Sequence, residues 1–219
     1  FVGQNTTPID TIVRMAQACK QYGLQLCVHA IGDRANREVL QVVQNTFGNE
    51  KHDHRWRIEH AQHIDPQDIP RFSQLGVIAS MQAIHCTSDA PFVEKRLGEE
   101  RARTGAYAWR SLLDSGARLC NGTDAPVEDV DPLPCLYASV TRRRADTGLE
   151  FFTEQKMTRE EALLSYTLWN AWGAFEEKEK GSLSVGKLAD IVVLSKDLLH
   201  CPPEEILQAK VLRTFVGGL

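Results

Sequence analysis

Three times in this chain an apolar, strand-like run ends at a side chain able to hold a metal, and a stretch of helical periodicity follows. The run 24–28 (LQLCV) leads into His29, the run 56–58 (WRI) into Glu59 and His60, and the run 117–120 (ARLC) into Asn121-Gly122-Thr123-Asp124. This order of strand, ligand and helix constrains the fold more than any other feature. Parallel neighbours need a crossover, and helices supply it, so the pattern predicts an α/β protein with a parallel sheet. In a (β/α) barrel the three side chains share one mouth, because the loops after the carboxyl ends of the strands converge on a single cavity. Two imidazoles and a carboxylate suit zinc or a similar divalent ion.

The other elements follow from local punctuation. Thr7 caps a first helix, Pro8 suits its first turn, Ile12, Val13 and Ala16 give it an apolar stripe, and Gly23 stops it. A helix over about 34–47 turns Val39, Leu40, Val42, Val43 and Phe47 inward and ends at Gly48. Asp65-Pro66 starts another helix. Residues 77–81 read as a third strand ending near His85, and 103–113 as the helix returning to a fourth strand that ends at Asp124. A loop-rich stretch over 128–157 precedes Thr158, whose spacing to Glu161 makes a capping box for a helix over 159–175. Residues 181–194 and 211–216 are β-rich with glycine turns and leave the alternation, which places a boundary near 178.

Composition narrows the class. With 219 residues, 42% hydrophobic and 25% charged, the chain can bury a core of ordinary size. A net charge of -4 gives no nucleic-acid footprint, and the one basic cluster, 142–144, reads as a solvated loop. Six cysteines without a CxxC pair imply a reducing compartment, with Cys27 and Cys120 packing as small hydrophobes. No run approaches the roughly 20 apolar residues of a membrane span, and no signal peptide is evident. The expected location is the cytoplasm, with a small molecule as substrate and neither nucleic acid nor membrane as partner. The opening at Phe1, straight into a helix, looks cut. Elsewhere the plain readings hold: His63 as a helix-start surface residue, His200 as a loop residue, His52-Asp53-His54 within 49–55 as a surface turn, 176–180 as a charged helix end, and Trp56, Trp109, Trp169 and Trp172 as packing residues.

Four motifs in order, HAIGD at 29–33, EHAQ at 59–62, GTDAPV at 122–127 and GSLSVGKLADIVVL at 181–194, resemble the amidohydrolase superfamily in its family 3, or YtcJ-like, branch. The resemblance implies metal-dependent hydrolysis of an amide or related C–N bond. His29 and His60 match metal ligands after the fifth and sixth strands. Asp124 matches the aspartate after the eighth, which would touch the metal-bound water and act as general base. One or two divalent ions, zinc by expectation, would be held. His85 could contact substrate or oxyanion, and Asp33 could orient a neighbour or a substrate amine. The family's first-strand His-x-His pair and fourth-strand bridging residue have no counterpart among these 219 residues. The expected architecture is therefore the C-terminal half of a (β/α)8 TIM-type barrel (strands 5 to 8) over 1–178, followed by part of a small β-sandwich over 179–219. Such a piece is expected to bind metal weakly and turn over little by itself, and to form a homo-oligomer or pair with a missing N-terminal half. The alternative is a non-catalytic half-barrel acting as an assembly or folding partner.

Overall fold

The computed structural model describes residues 3–49 and 52–219. In chain order its first elements are α1 (Ile9–Tyr22), β1 (Cys27–Ala30), α2 (Asp33–Phe47), β2 (Arg57–His60), α3 (Ile69–Leu75), β3 (Ile78–Met81), α4 (Ala83–Leu97), α5 (Glu99–Gly105), α6 (Trp109–Asp114) and β4 (Arg118–Asn121). Then come α7 (Pro132–Thr141), α8 (Arg159–Tyr166), α9 (Leu168–Gly173), β5 (Ile191–Leu194), α10 (Pro203–Ile206) and β6 (Val211–Phe215). The chain divides into two compact units, residues 1–81 with 91–119 and residues 82–90 with 120–219.

The first unit carries β1, β2 and β3, neighbours in that order. β1 pairs with β2 and β2 with β3 in parallel, with Val28 opposite Ile58 and Ile58 opposite Ala79. Ile58, Ile78 and Ala79 are fully buried, as strands covered on both faces require. The first two crossovers are helical, the 15-residue α2 and the 7-residue α3. α2 buries Val39, Leu40, Val42 and Val43, as its periodicity predicts, while Phe47 is only half-buried. α1 stops at Gly23, in the left-handed conformation that glycine adopts without steric cost. Its start differs from expectation. Pro8 itself is the N-cap residue and its carbonyl accepts from the Thr11 and Ile12 amides, so Thr7 caps nothing. Asp65-Pro66 likewise starts a turn, closed by the Asp65 carboxylate on the Gln67 amide, and the helix waits until Ile69.

After β3 the structure departs further from the sequence reading. His85 lies in the first turn of a 15-residue helix, α4, where a strand end is expected. Pro91 inside α4 interrupts the periodicity that would have revealed it. In the second unit a helix also replaces expected loop. Asp131 accepts the Leu133 amide and Pro132 opens α7, whose residues 135–139 are buried. The capping box forms as read, Thr158 Oγ1 accepting the Glu161 amide and Glu161 accepting the Thr158 amide. The helix it opens breaks at Thr167 (φ -125°, ψ -94°) into α8 and α9. β5 and β6 pair antiparallel.

Several surface readings are corrected. Cys27 is exposed, whereas Cys120 is buried. Arg142 is fully buried, ends α7 in the left-handed region, donates from Nε to the Phe151 carbonyl at 2.7 Å and lies 5.5 Å from the Phe151 ring centroid. Arg144 reaches the Thr87 and Ser88 carbonyls and the Asp146 carboxylate. The basic cluster is thus mostly structural, because a buried guanidinium needs carbonyl partners and this loop supplies them. His63 is half-buried and forms an isolated bridge with Ala106, not a helix start. Trp56 and Trp109 are core residues, while Trp169 and Trp172 are half-buried.

The His52-Asp53-His54 segment is also more than a surface turn, although residues 50 and 51 of that connection lie outside the described residues. His54 stacks on Phe47 with ring centroids 4.6 Å apart. Its Nε2 donates to the Leu75 carbonyl at 2.9 Å and its Nδ1 accepts the Trp56 amide at 2.8 Å. Together these bonds demand the neutral ring. Burial pushes the His54 pKa below its ordinary 6.5. Above that value both folded and unfolded chains hold a neutral ring. Below it the unfolded chain takes up a proton that the folded one refuses, so stability is lost as pH falls from 6.5 toward the folded value. The wild type is therefore expected to lose stability more steeply than His54→Asn as pH falls from neutral to mildly acid, in urea titrations at fixed pH. Parallel profiles would remove His54 from this role.

Candidate metal and catalytic site

In the first unit, His29 lies on β1 and His60 ends β2. The parallel register sets Ala30 opposite His60, which makes the two histidines diagonal neighbours. Their rings meet edge to face with centroids 4.4 Å apart. His29 is exposed and His60 half-buried. The backbone leaves β2 abruptly: His60 (φ 77°) and Ala61 (φ 45°) are both left-handed without being glycine. Such residues cost on the order of 1–3 kcal/mol each and persist only where the surroundings over-determine them. Here the surroundings are backbone bonds. The Ala61 and His63 amides donate to Ala30 and Ile31, the Ile64 amide to Gly105, and the Tyr107 amide to Gln62, while Gln62 Nε2 donates to the Tyr107 hydroxyl.

A second brace comes from Asn36 on α2, fully buried, whose amide nitrogen lies 2.9–3.3 Å from the carbonyls of Ala30, Ile31, Gly32 and His63. It ties the loop after His29 to the loop after His60. Sequence reasoning missed it, although an asparagine on the Val39, Leu40 and Val43 face of a helix was a visible signal. Asp33 opens α2 and pairs with Arg101 at 2.7 Å. Burial works to raise its pKa, but hydrogen bonds from the Arg101 guanidinium and the Arg34 amide outweigh it and hold the carboxyl below its ordinary value. Both residues border a cavity of about 150 Å³ with His63, Asp65 and Thr104.

In the second unit, Asp124 sits just past β4 in the left-handed region (φ 63°). Its carbonyl accepts the Val127 amide, so the chain turns back immediately. His85, with a side chain only 10% exposed, stands between two carboxylates: Nε2 is 3.2 Å from Asp124 Oδ2 and Nδ1 is 3.4 Å from Glu128 Oε1. Below, Asn121 Nδ2 donates to Ser165 Oγ, and the Asn170 side chain bonds both the amide and the carbonyl of Asn121. The structure therefore brings His29 to His60, His85 to Asp124, and Asp33 to Arg101. Glu128 was not foreseen, although an acidic residue four positions after Asp124 in one short loop could have suggested it.

An α/β protein with a parallel sheet and with imidazoles and a carboxylate at its strand exits has the make-up of the metal-dependent hydrolase class. The amidohydrolase family profile matches residues 2–219, and the chain belongs to this family, in its family 3 branch. Three relatives and one solved structure illustrate the likeness. Protein LONG AFTER FAR-RED 3 of Arabidopsis thaliana is 38% identical over 95% of this chain and 36% of its own length. The YtcJ protein of Bacillus subtilis (strain 168) is 32% identical over 95% of this chain and 39% of its own. The N-substituted formamide deformylase of Arthrobacter pascens is 26% identical over all of this chain and 40% of its own. An uncharacterized metal-dependent hydrolase from Pyrococcus horikoshii superposes with a TM-score of 0.81 at 28% identity, over 93% of this chain and 40% of that one. The chain thus spans well under half the length of these relatives. Among the described residues no helix is long and apolar enough to cross a membrane.

Proposed function

We propose that this chain contributes to metal-dependent hydrolysis of an amide or related C–N bond in a small molecule. The observation that carries the reading is the His29–His60 pair, two imidazoles at adjacent parallel strand ends on a strained, braced backbone. Two neighbouring borderline nitrogen donors fit a zinc-type ion, and His29, His60 and Asp124 would hold one or two such ions. When bound, a divalent ion lowers the pKa of water from about 16 to about 7 and polarises a carbonyl. Asp124 takes the proton from the attacking water and returns it to the departing nitrogen, a dual role that suits a carboxylate fixed at a strand exit. His85 faces the substrate or its oxyanion, and Asp33 orients a neighbour, in keeping with its pairing to Arg101, or a substrate amine. The deformylase relative supports a C–N target. The Pyrococcus match supports reading 1–178 as strands five to eight of a (β/α)8 barrel and 179–219 as part of a β-sandwich. The six free cysteines are in keeping with a cytoplasmic site of action.

The test is hydrolysis of a panel of N-formyl and N-acyl amines by this chain supplemented with an N-terminal half-barrel from a family relative, with zinc, with cobalt and with a chelator, the chain by itself being expected to turn over little. Turnover that chelation abolishes and added metal restores is the expected result, and turnover indifferent to chelation would sink the reading. A second reading, a non-catalytic half-barrel that assembles with another copy or with an N-terminal half, is favoured by the exposed valines and leucine of and just after the paired strands β5 and β6, Val192, Val211, Leu212 and Val216. No turnover under any metal, together with a mass that rises with concentration, would select it.

A further inference from the structure

We propose that Asn36 is a positioning residue for the His29–His60 pair: from α2 it pins the loop after His60 to the loop after His29 and so keeps the two imidazoles together. The proposal rests on the metal reading for its effect on zinc binding, and on local geometry alone for its effect on the loops. Asn36 lies in the first turn of α2 and is fully buried. The helix is itself held by the buried stripe Val39, Leu40, Val42 and Val43, which gives the carboxamide a fixed mount. Four carbonyl oxygens surround one end of that carboxamide, so this end must be the donating nitrogen. Three of them, on Ala30, Ile31 and Gly32, follow directly on His29, and the fourth, on His63, lies just beyond the left-handed residues His60 and Ala61.

What the side chain adds is reach. The Ala30, Ile31 and Gly32 carbonyls already accept the Ala61, His63 and Asn36 amides at 2.9–3.1 Å and are satisfied without it. Asn36 Oδ1 has no hydrogen-bond partner among the described residues. A buried carboxamide paired at one end only adds little to stability, and an apolar side chain would fill this helix face at less cost. Its distinct contribution is the 3.3 Å bond from α2 across to the His63 carbonyl, a side-chain tie added to the two backbone ones. Two imidazoles serve one ion only if they stay close, since each nitrogen must come within about 2.0–2.1 Å of a zinc. A left-handed turn costs free energy to hold, so loosening the tie lets the His60 ring move off His29.

Amide hydrogen exchange of the metal-free chain reads the tie directly. The Ala61 and His63 amides should be protected in the wild type. In Asn36→Ala they should exchange about 3- to 10-fold faster, the worth of one hydrogen bond, while Leu40 and Val43 inside α2 change less. Calorimetric titration with zinc chloride should show binding weakened by about 10-fold, the lower end of what the outer partners of metal ligands supply. Asn36→Ser, whose hydroxyl can return to the Gly32 carbonyl one turn back without spanning to His63, should behave as Asn36→Ala does. Ala61 and His63 amides that exchange freely in the wild type overturn the proposal whether or not any variant folds. So does an Asn36→Ala chain in which no amide changes, or in which all speed up by one factor, the mark of a contribution to stability alone. Zinc affinity unchanged in a chain whose loop has loosened overturns it as well. A wild type that binds no zinc would defeat the metal reading, and the exchange rates would still decide this proposal.

Discussion

Under the proposed hydrolase role, replacing Asp124 with asparagine is expected to lower the rate of C–N hydrolysis by the completed barrel by about 10²- to 10⁴-fold, the usual worth of a positioned proton carrier. Asparagine has almost the same shape and keeps a carbonyl oxygen that can accept from His85, so the loop that turns back through the Val127 amide should stay in place. What it loses is the ability to take a proton from water and deliver it to the leaving nitrogen. The check is kcat/KM for the wild type and Asp124→Asn on the same substrate at saturating metal, with thermal unfolding of both. Unchanged melting with a collapsed rate is the expected pair of results. A variant as fast as the wild type would remove Asp124 from the general-base role, and a variant that is merely unfolded would be recognised by its melting curve.

The second large effect concerns stability, at a glycine chosen by close approach. Gly105 ends α5, and a Cβ built there would lie 2.1 Å from the Ile64 carbonyl oxygen. Real side chains do not come so near, and the obstacle is backbone, which cannot swing away. Gly105→Ala must therefore separate two segments that exchange the Ile64-to-Gly105 and Tyr107-to-Gln62 amide bonds, at 2.9 and 2.6 Å. Overpacking of about 1–3 kcal/mol, added to about 1 kcal/mol for each weakened bond, gives an expected loss of about 3 kcal/mol or more. For a chain of this size that is about 6–12 °C in melting temperature, measurable by calorimetry. The loss should reach the candidate site as well, because these bonds hold the left-handed turn at His60 and Ala61. A melting temperature equal to the wild type's would mean that the two segments can part at no cost.

How much of this was legible in the sequence depended on whether the governing signal was local. Gly23 as the stop of α1 and the Thr158–Glu161 capping box are both satisfied within a few residues, and both appear as read. The parallel order of β1, β2 and β3 was legible too, since an apolar run followed by a helix has few other ways to bury itself. Family membership followed from four motifs in order, each weak alone. What escaped notice was set at a distance. α4 was hidden because Pro91 breaks its pattern, and α7 because a short buried helix lacks the polar face that makes periodicity visible. Arg142 read as a solvated cation, since the Phe151 carbonyl that satisfies it lies nine residues away in a loop. Asn36 and Glu128 act through partners that no spacing rule connects to them, and they emerge only once α2 and the 124–131 loop are in place.

The break at Thr167 has a consequence for what else this chain can bind. By ending α8 there and starting α9 one residue later, it swings Asn170 onto the last residue of β4, where Asn170 Oδ1 accepts the Asn121 amide at 3.2 Å and Nδ2 donates to the Asn121 carbonyl at 2.8 Å. A single carboxamide thus supplies both halves of the hydrogen bonding that another polypeptide would offer. At Asn121 the main-chain N–H and C=O are both already bonded within the chain, so a further strand arriving at this residue would meet a donor and an acceptor in use.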